Sequence, residues 1–231
     1  MILTVGSTKG GVGKTTIALQ LALARTLAGS SVLLVDGDRQ GSALTAVSMR
    51  SEAARSPGLA CVHYPDERVL RAQVQQQAPR YDDVIIDVGG RDSAALRAAL
   101  LLSDILIVPV QPRSLDVWAF SDIAALVDGA QEARAERGRP PLRACAMLSM
   151  ADTGASSDNT AAAEALAEHG QFAWIDAPIR RRKAFANATG LGLAVVEMRP
   201  RDPKACEEIA ELLRNAFSIA NKLHAKAKET V

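Results

Sequence analysis

With 231 residues, 48% of them hydrophobic and only 3% aromatic, the chain can bury a sizeable core, and that core must be built from Ala, Leu, Val and Ile. A formal net charge of +1 excludes a global field that would recruit nucleic acid or membrane, so any such binding must come from a local patch. Cys61, Cys145 and Cys206 are widely separated and form no C-x-x-C pair; with only three histidines, this argues against a disulfide framework or a zinc site and for thiols buried as small hydrophobes in a reducing cytoplasm.

The chain opens on a strand, Ile2-Leu3-Thr4-Val5, with no signal-peptide pattern, and no later apolar run approaches membrane-spanning length. A glycine-rich loop follows, Lys9-Gly10-Gly11-Val12-Gly13-Lys14-Thr15-Thr16, and the apolar periodicity of Ile17 to Leu27 predicts a helix that Gly29-Ser30 ends. Ser31 to Asp36 reads as a buried strand, as do Asp83 to Asp87 and Asp104 to Pro109. Helical patterns alternate with them at about 42–54, 66–78, 93–102, 114–137 and 157–169, and weaker strands are predicted over Leu142 to Leu148 and Phe172 to Ile175. The polar stretch Arg137-Gly138-Arg139-Pro140-Pro141 reads as a surface connection, because both flanks continue the same alternation. Residues 1–231 are therefore expected to form a single α/β domain with a doubly wound, mostly parallel sheet and helices on both faces.

The order strand, glycine loop, helix makes residues 9–16 a phosphate-binding candidate. Gly10, Gly11 and Gly13 let backbone N–H groups wrap a polyphosphate, and the helix beginning near Thr15 points its positive dipole end at the same anion. Lys14 would neutralise the β- and γ-phosphates, and the Thr15 hydroxyl would ligate Mg²⁺. Lys9 has no task in an ordinary phosphate loop. At the loop's entrance its ammonium reaches its own nucleotide or one held by a facing subunit, unless it is only a surface lysine. Ligands of a doubly wound sheet bind beyond the carboxyl ends of the strands, and acids stand there: Asp36 and Asp38 after the second strand, Asp87 after the third clear one. Asp36 and Asp38 read either as parts of a site or as caps of the next helix. After Asp87, Gly89-Gly90 suits a mobile loop, with Asp92 or Ser93 capping the helix beyond it.

Residues 9–16 match every specified position of K-G-G-x-G-K-T-T, so the chain resembles the deviant-Walker ATPases of the ParA/MinD type, closest in character to the small plasmid ParA partition ATPases. The resemblance implies a P-loop fold, ATP and Mg²⁺ as cofactors, slow hydrolysis stimulated by a partner, and an ATP-dependent homodimer in which Lys9 crosses to the partner's phosphates. Residues Lys9, Gly10, Gly11, Val12, Gly13, Lys14, Thr15 and Thr16 would hold the nucleotide. Lys9 and Lys14 would act in catalysis with Asp38, which would position the attacking water and join Thr15 and Asp87 at the metal; Asp36 would sit deeper, nearer the magnesium shell. Asp36-Gly37-Asp38-Arg39-Gln40-Gly41 resembles the family's D-x-D-P-Q-G with Arg39 in place of proline, and Val88-Gly89-Gly90-Arg91-Asp92 stands where many members carry Thr-Pro-Pro. Val108 to Asp116 resembles a proline-bearing loop on the dimer-facing side, though alone it is a strand end, a turn and a helix start. The adenine pocket would come from the loop after Leu148 and the segment around Pro178.

The densest basic run, Arg180-Arg181-Arg182-Lys183, lies where ParA relatives place DNA-binding arginines and implies sequence-independent phosphate contacts; the other reading is a solvated charge run. Ile209, Leu212, Leu213, Ala216, Phe217, Ala220 and Leu223 have helical spacing, with Lys222, Lys226 and Lys228 toward the end. They read as a last helix packed on the sheet, or as a MinD-like membrane-targeting helix. The resemblance favours a cytoplasmic partition ATPase, nucleoid-associated in its ATP state and without the N-terminal helix-turn-helix of larger ParA proteins. It would bind nonspecific DNA, use no membrane, and position a plasmid, a chromosome region or a protein assembly through a ParB-like centromere-binding or cargo adaptor protein. The alternatives are a membrane-associated MinD-like positioning ATPase and a metabolic or iron–sulfur relative. The last needs cysteines near the dimer axis, and neither Asp36 to Gly41 nor Val88 to Asp92 contains one.

Overall fold

The computed structural model describes residues 1–90, 93–113, 120–154 and 156–229, with side chains as far as residue 218. Among them run β1 (Ile2–Val5), β2 (Val32–Asp36), β3 (Ala60–His63), β4 (Asp83–Asp87), β5 (Ile105–Val110), β6 (Arg143–Ala151), β7 (Ala173–Trp174) and β8 (Ile179–Arg180). The helices are α1 (Lys14–Leu27), α2 (Ser42–Glu52), α3 (Glu67–Gln77), α4 (Ala94–Leu102), α5 (Phe120–Glu136), α6 (Ser157–Ala167), α7 (Lys183–Gly190) and α8 (Pro203–Glu229). The strands lie in the order β3-β2-β4-β1-β5-β6-β7, with β8 paired to β6, and all pairings are parallel.

The strands are apolar on both faces because both faces are covered. Successive residues point to opposite sides: Leu3, Val5, Leu34, Ile85 and Ile107 join one core with residues of α1, α2, α7 and α8. Leu33, Val35, Val84, Ile86, Leu106 and Val108 join the other, with residues of α3, α4, α5 and α6. Thr4 lies fully buried in β1, and its hydroxyl is satisfied by Ser103 Oγ at 2.6 Å. With β4 on one side of β1 and β5 on the other, the carboxyl end of β1 is the point where the winding reverses, which in such sheets is where ligands bind.

The doubly wound parallel sheet is as expected, but its outer parts differ from the sequence reading. Strand β3 was not foreseen: Ala60-Cys61-Val62-His63 is a short, half-exposed edge with no sustained apolar run. Neither was β8, two residues ending at the first arginine of the basic run, nor α7, which begins at the run's last residue, Lys183. The strand expected over 142–148 extends to Ala151 because β8 pairs with its end; the register shifts between Ser149 and Ala151, and Met150 takes φ 51°. Residues 114–119 of the expected helix at 114–137, Asp116 among them, lie outside the described residues, as do Arg91 and Asp92. The apolar stripe of α8 packs on the sheet through Ala205, Ile209, Leu212 and Ala216. Arg25 clamps it further, with its guanidinium carbon 4.5 Å from the Phe217 ring centroid and its Nε 2.7 Å from Asp83. The side chains of Ala220, Lys222, Leu223, Lys226 and Lys228 lie outside the described residues. Only Cys145 is a fully buried thiol, against the expectation for all three; Cys61 and Cys206 are half-buried. Burial pushes the Cys145 thiol up to about 11 and that of Cys61 up to about 12.

Candidate nucleotide site

The glycine loop leaves the end of β1 and turns into α1 through Gly13, whose φ of 85° is left-handed. Helices α3 and α4 satisfy first-turn N–H groups with the side chains of Asp66 and Ser93. Helix α1 has neither a side-chain cap nor an acid in its first turn, so its orphan donors and dipole remain for an anion. Among the described residues, nothing stands within 4 Å of a Cβ built at Gly10 or Gly11. Lys14 is buried at 7% exposure, and its Nζ donates to the Lys9 carbonyl at 2.6 Å. Burial holds its pKa below the ordinary lysine value, while the charges of Asp87 and Asp38 act in the other direction.

Asp87 ends β4 at 1% exposure, and neither carboxylate oxygen has a hydrogen-bond partner among the described residues. Burial above all, with the negative charges of Asp36 and Asp38, pushes this carboxyl up to about 7. Thr15 and Lys14 lie close enough to favour its charged form, although the Thr15 hydroxyl makes no well-formed hydrogen bond to it. An orphaned buried carboxylate is costly. A hard cation offsets that cost, and the hydroxyl and carboxylate oxygens of Thr15 and Asp87 are the donors that Mg²⁺ prefers.

Asp36 does not share that position. Its Oδ1 accepts from Asp38 N at 3.1 Å and its Oδ2 from Leu44 N at 2.9 Å, so it fastens the loop and caps α2. Of the two readings for this pair, the helix cap therefore describes Asp36. The Asp38 carboxylate instead accepts Gln40 N at 3.1 Å within the loop, beside the exposed Arg39. Gly89-Gly90 acquires a steric reason: a Cβ at Gly89 would stand 3.1 Å from the Asp38 carboxylate, and one at Gly90 would stand 2.9 Å from Gly10 N. The segment after Asp87 thus passes close to both the Asp38 loop and the phosphate loop; at Gly90 the neighbour is backbone that a side chain would displace, and at Gly89 it is the Asp38 side chain.

Three contributors escaped the sequence reading. Gln111, at the end of β5 and 8% exposed, donates to the Gly11 carbonyl at 2.8 Å and holds the loop's apex. Ser149 closes the other side, its Oγ 2.9 Å from a Cβ built at Gly13. His63 reaches the Asp38 carbonyl. Gln111 lies within the proline-bearing segment 108–116 and Ser149 directly after Leu148, but no motif singles out either side chain or His63; their shared signal is a place at or near a strand end, on the side where ligands bind.

The basic run lies apart from this cluster, on the β8–α7 edge. Glu208 of α8, 5% exposed, accepts from Arg180 N at 3.1 Å and Arg180 Nη1 at 3.2 Å, and from Arg182 Nε at 3.0 Å and Nη2 at 2.7 Å. Arg181 and Lys183 are exposed.

A family model described as the CobQ/CobB/MinD/ParA nucleotide binding domain matches residues 3–228. The chain is 29% identical to the maintenance of carboxysome distribution protein A of Halothiobacillus neapolitanus, over 93% of its own length and 95% of the relative's. It is 33% identical to the protein of the same name from Gloeobacter kilaueensis, over 89% of the chain and 88% of the relative. The solved structure of the septum site-determining protein MinD complexed with Mg-ADP, from Pyrococcus horikoshii, matches with a TM-score of 0.71 at 18% identity, covering 95% of this chain and 96% of that one.

Proposed function

The chain belongs to the CobQ/CobB/MinD/ParA nucleotide binding domain family, and from that membership we propose that it is an ATPase that dimerises on ATP and positions a cargo through a partner protein that stimulates hydrolysis. The observation that carries this reading is the convergence of three features: an uncapped helix start, the buried Lys14, and the unpartnered Asp87 behind it. Residues 9–16 wrap the triphosphate, with Lys14 on the β- and γ-phosphates and Lys9 at the entrance, directed to the nucleotide of a facing subunit. Thr15 and Asp87 hold Mg²⁺, which when bound supplies positive charge against the phosphates and the buried carboxylate. Asp38 orients the attacking water.

Sedimentation with ATP and Mg²⁺ tests this division of labour. Lys9→Ala is expected to bind ATP yet remain a monomer, and Asp38→Ala to accumulate as an ATP-bound dimer because its water is no longer oriented. A Lys9→Ala protein that dimerises like the parent would refute the facing-subunit role.

The relatives named for carboxysome distribution favour a protein assembly as the cargo, ahead of a plasmid. Nonspecific DNA is the proposed track, with the exposed Arg181 and Lys183 as its phosphate contacts, since Glu208 already engages Arg180 and Arg182. Pairing two subunits doubles the contacts and compounds their affinity. Binding to random duplex DNA, followed by fluorescence anisotropy, is therefore expected to require ATP and to fall steeply with salt. Replacing both Arg181 and Lys183 with alanine should weaken it about tenfold or more while dimerisation persists. Unchanged DNA binding in that double variant would mark the run as solvated surface. Preference of the parent for anionic liposomes would shift the track to membrane. The described part of α8 gives that alternative no support, because its apolar stripe is already packed in the core.

A further inference from the structure

We infer that His63 is a positioning residue for ATP hydrolysis, acting through the backbone of Asp38; the inference rests on the water-orienting role proposed for that aspartate. His63 is the last residue of the edge strand β3, in register with Asp36 of β2, and the Tyr64 N–H behind it bonds the Asp36 carbonyl at 2.8 Å. This pairing sets the imidazole beside the loop that leaves β2. Its Nε2 lies 2.7 Å from the Asp38 carbonyl oxygen. A carbonyl only accepts, so Nε2 carries the hydrogen and donates it.

The other polar ties of Asp38 are local. Its N–H goes to Asp36 Oδ1 at 3.1 Å, its Oδ1 takes Gln40 N at 3.1 Å, and its carbonyl also takes Gly41 N at 3.1 Å. Arg39 and Gln40 are exposed. Among the described residues, His63 is the side chain that reaches residues 38–41 with a hydrogen bond from outside β2, this loop and α2. The ring also covers Gly41, whose φ is +65° and whose built Cβ would lie 3.8 Å from His63 Cε1.

Such a strut matters because the Asp38 carboxylate is closely approached by Gly89, where a built Cβ would stand 3.1 Å away. A group that must aim a water at a phosphorus atom tolerates little displacement, and an error of about 1 Å can cost about 100-fold in rate. His63 fixes the peptide from which that carboxylate projects. Among the described residues it makes no hydrogen bond to the nucleotide loop or to Asp87, so its removal is expected to act on turnover and not on affinity.

The test compares His63→Phe, which keeps a ring over Gly41 without a donor, with His63→Gln, which supplies an N–H of similar reach, and with Asp38→Ala. Single-turnover hydrolysis of ATP by the full chain with Mg²⁺ is measured beside ATP affinity and thermal midpoint. The phenylalanine variant is expected to hydrolyse about tenfold more slowly, with affinity and midpoint unchanged, and the glutamine variant to recover most of the rate. The inference is overturned if His63→Phe hydrolyses like the parent while Asp38→Ala does not, if glutamine recovers nothing, or if rate, affinity and midpoint fall together, as for a purely structural strut. If Asp38→Ala itself hydrolyses at the parental rate, the underlying reading of Asp38 fails, and that result is separate from all of these.

Discussion

Lys14→Ala is expected to lower ATP affinity by about 100-fold, or about 3 kcal/mol, the scale of a charge-assisted contact to phosphate. The folded protein without nucleotide should not suffer. Burial holds the Lys14 pKa below its ordinary value, so in the absence of an anion its charge opposes folding. The sign follows from linkage: a lysine whose folded-state pKa is depressed binds fewer protons in the folded chain, and its contribution to stability improves as pH rises toward the unfolded value. Alanine removes that cost together with the hydrogen bond from Nζ to the Lys9 carbonyl at 2.6 Å. Calorimetric titration with ATP, paired with thermal unfolding of the free protein, checks both halves. Unchanged affinity would remove the loop from the phosphate site. A large loss of stability would make Lys14 a structural residue first.

Gly192→Ala is expected to destabilise the fold by about 3 kcal/mol or more, lowering the melting midpoint by about 10 °C. Its φ of +63° disfavours a side chain, and a Cβ built there would overlap the Ala46 carbonyl and stand 2.8 Å from Arg50 N. These atoms cannot retreat cheaply. Arg50, 1% exposed, is held at Pro57 O and at Gly192 O, and it forms a bidentate pair with Glu197 at 2.9 Å for each bond. That network binds α2, which follows the Asp38 loop, to the segment after α7. Gly138→Ala is the control. Its φ of +62° is nearly the same, but among the described residues nothing lies within 4 Å of the added carbon, so only the backbone term of about 1 kcal/mol applies. Equal losses in the two variants would show that close packing at Gly192 contributes nothing.

The strands β1, β2, β4 and β5 were legible in the sequence because each is a predominantly apolar run covered on both faces, and burial of that kind leaves a local mark. The phosphate loop was legible for a related reason. Its chemistry needs consecutive residues, glycines for the backbone path and Lys14 and Thr15 at the helix start, so the whole device fits within residues 9–16. Strands β3 and β8 left no such mark: β3 is short and half-exposed, and β8 is two residues long and placed by its pairing to the end of β6. Only the tertiary structure separated the two acids of the Asp36–Asp38 segment, because that depended on which backbone N–H groups each carboxylate meets. The same holds for the supports of the site. His63 meets Asp38 across 25 residues, Glu208 meets Arg180 across 28, Gln111 meets Gly11 across 100, and Arg50 meets Gly192 across 142. Periodicity reports what repeats within one element. Contacts between elements depend on strand order and register, and those are decided only when the whole sheet closes its two cores.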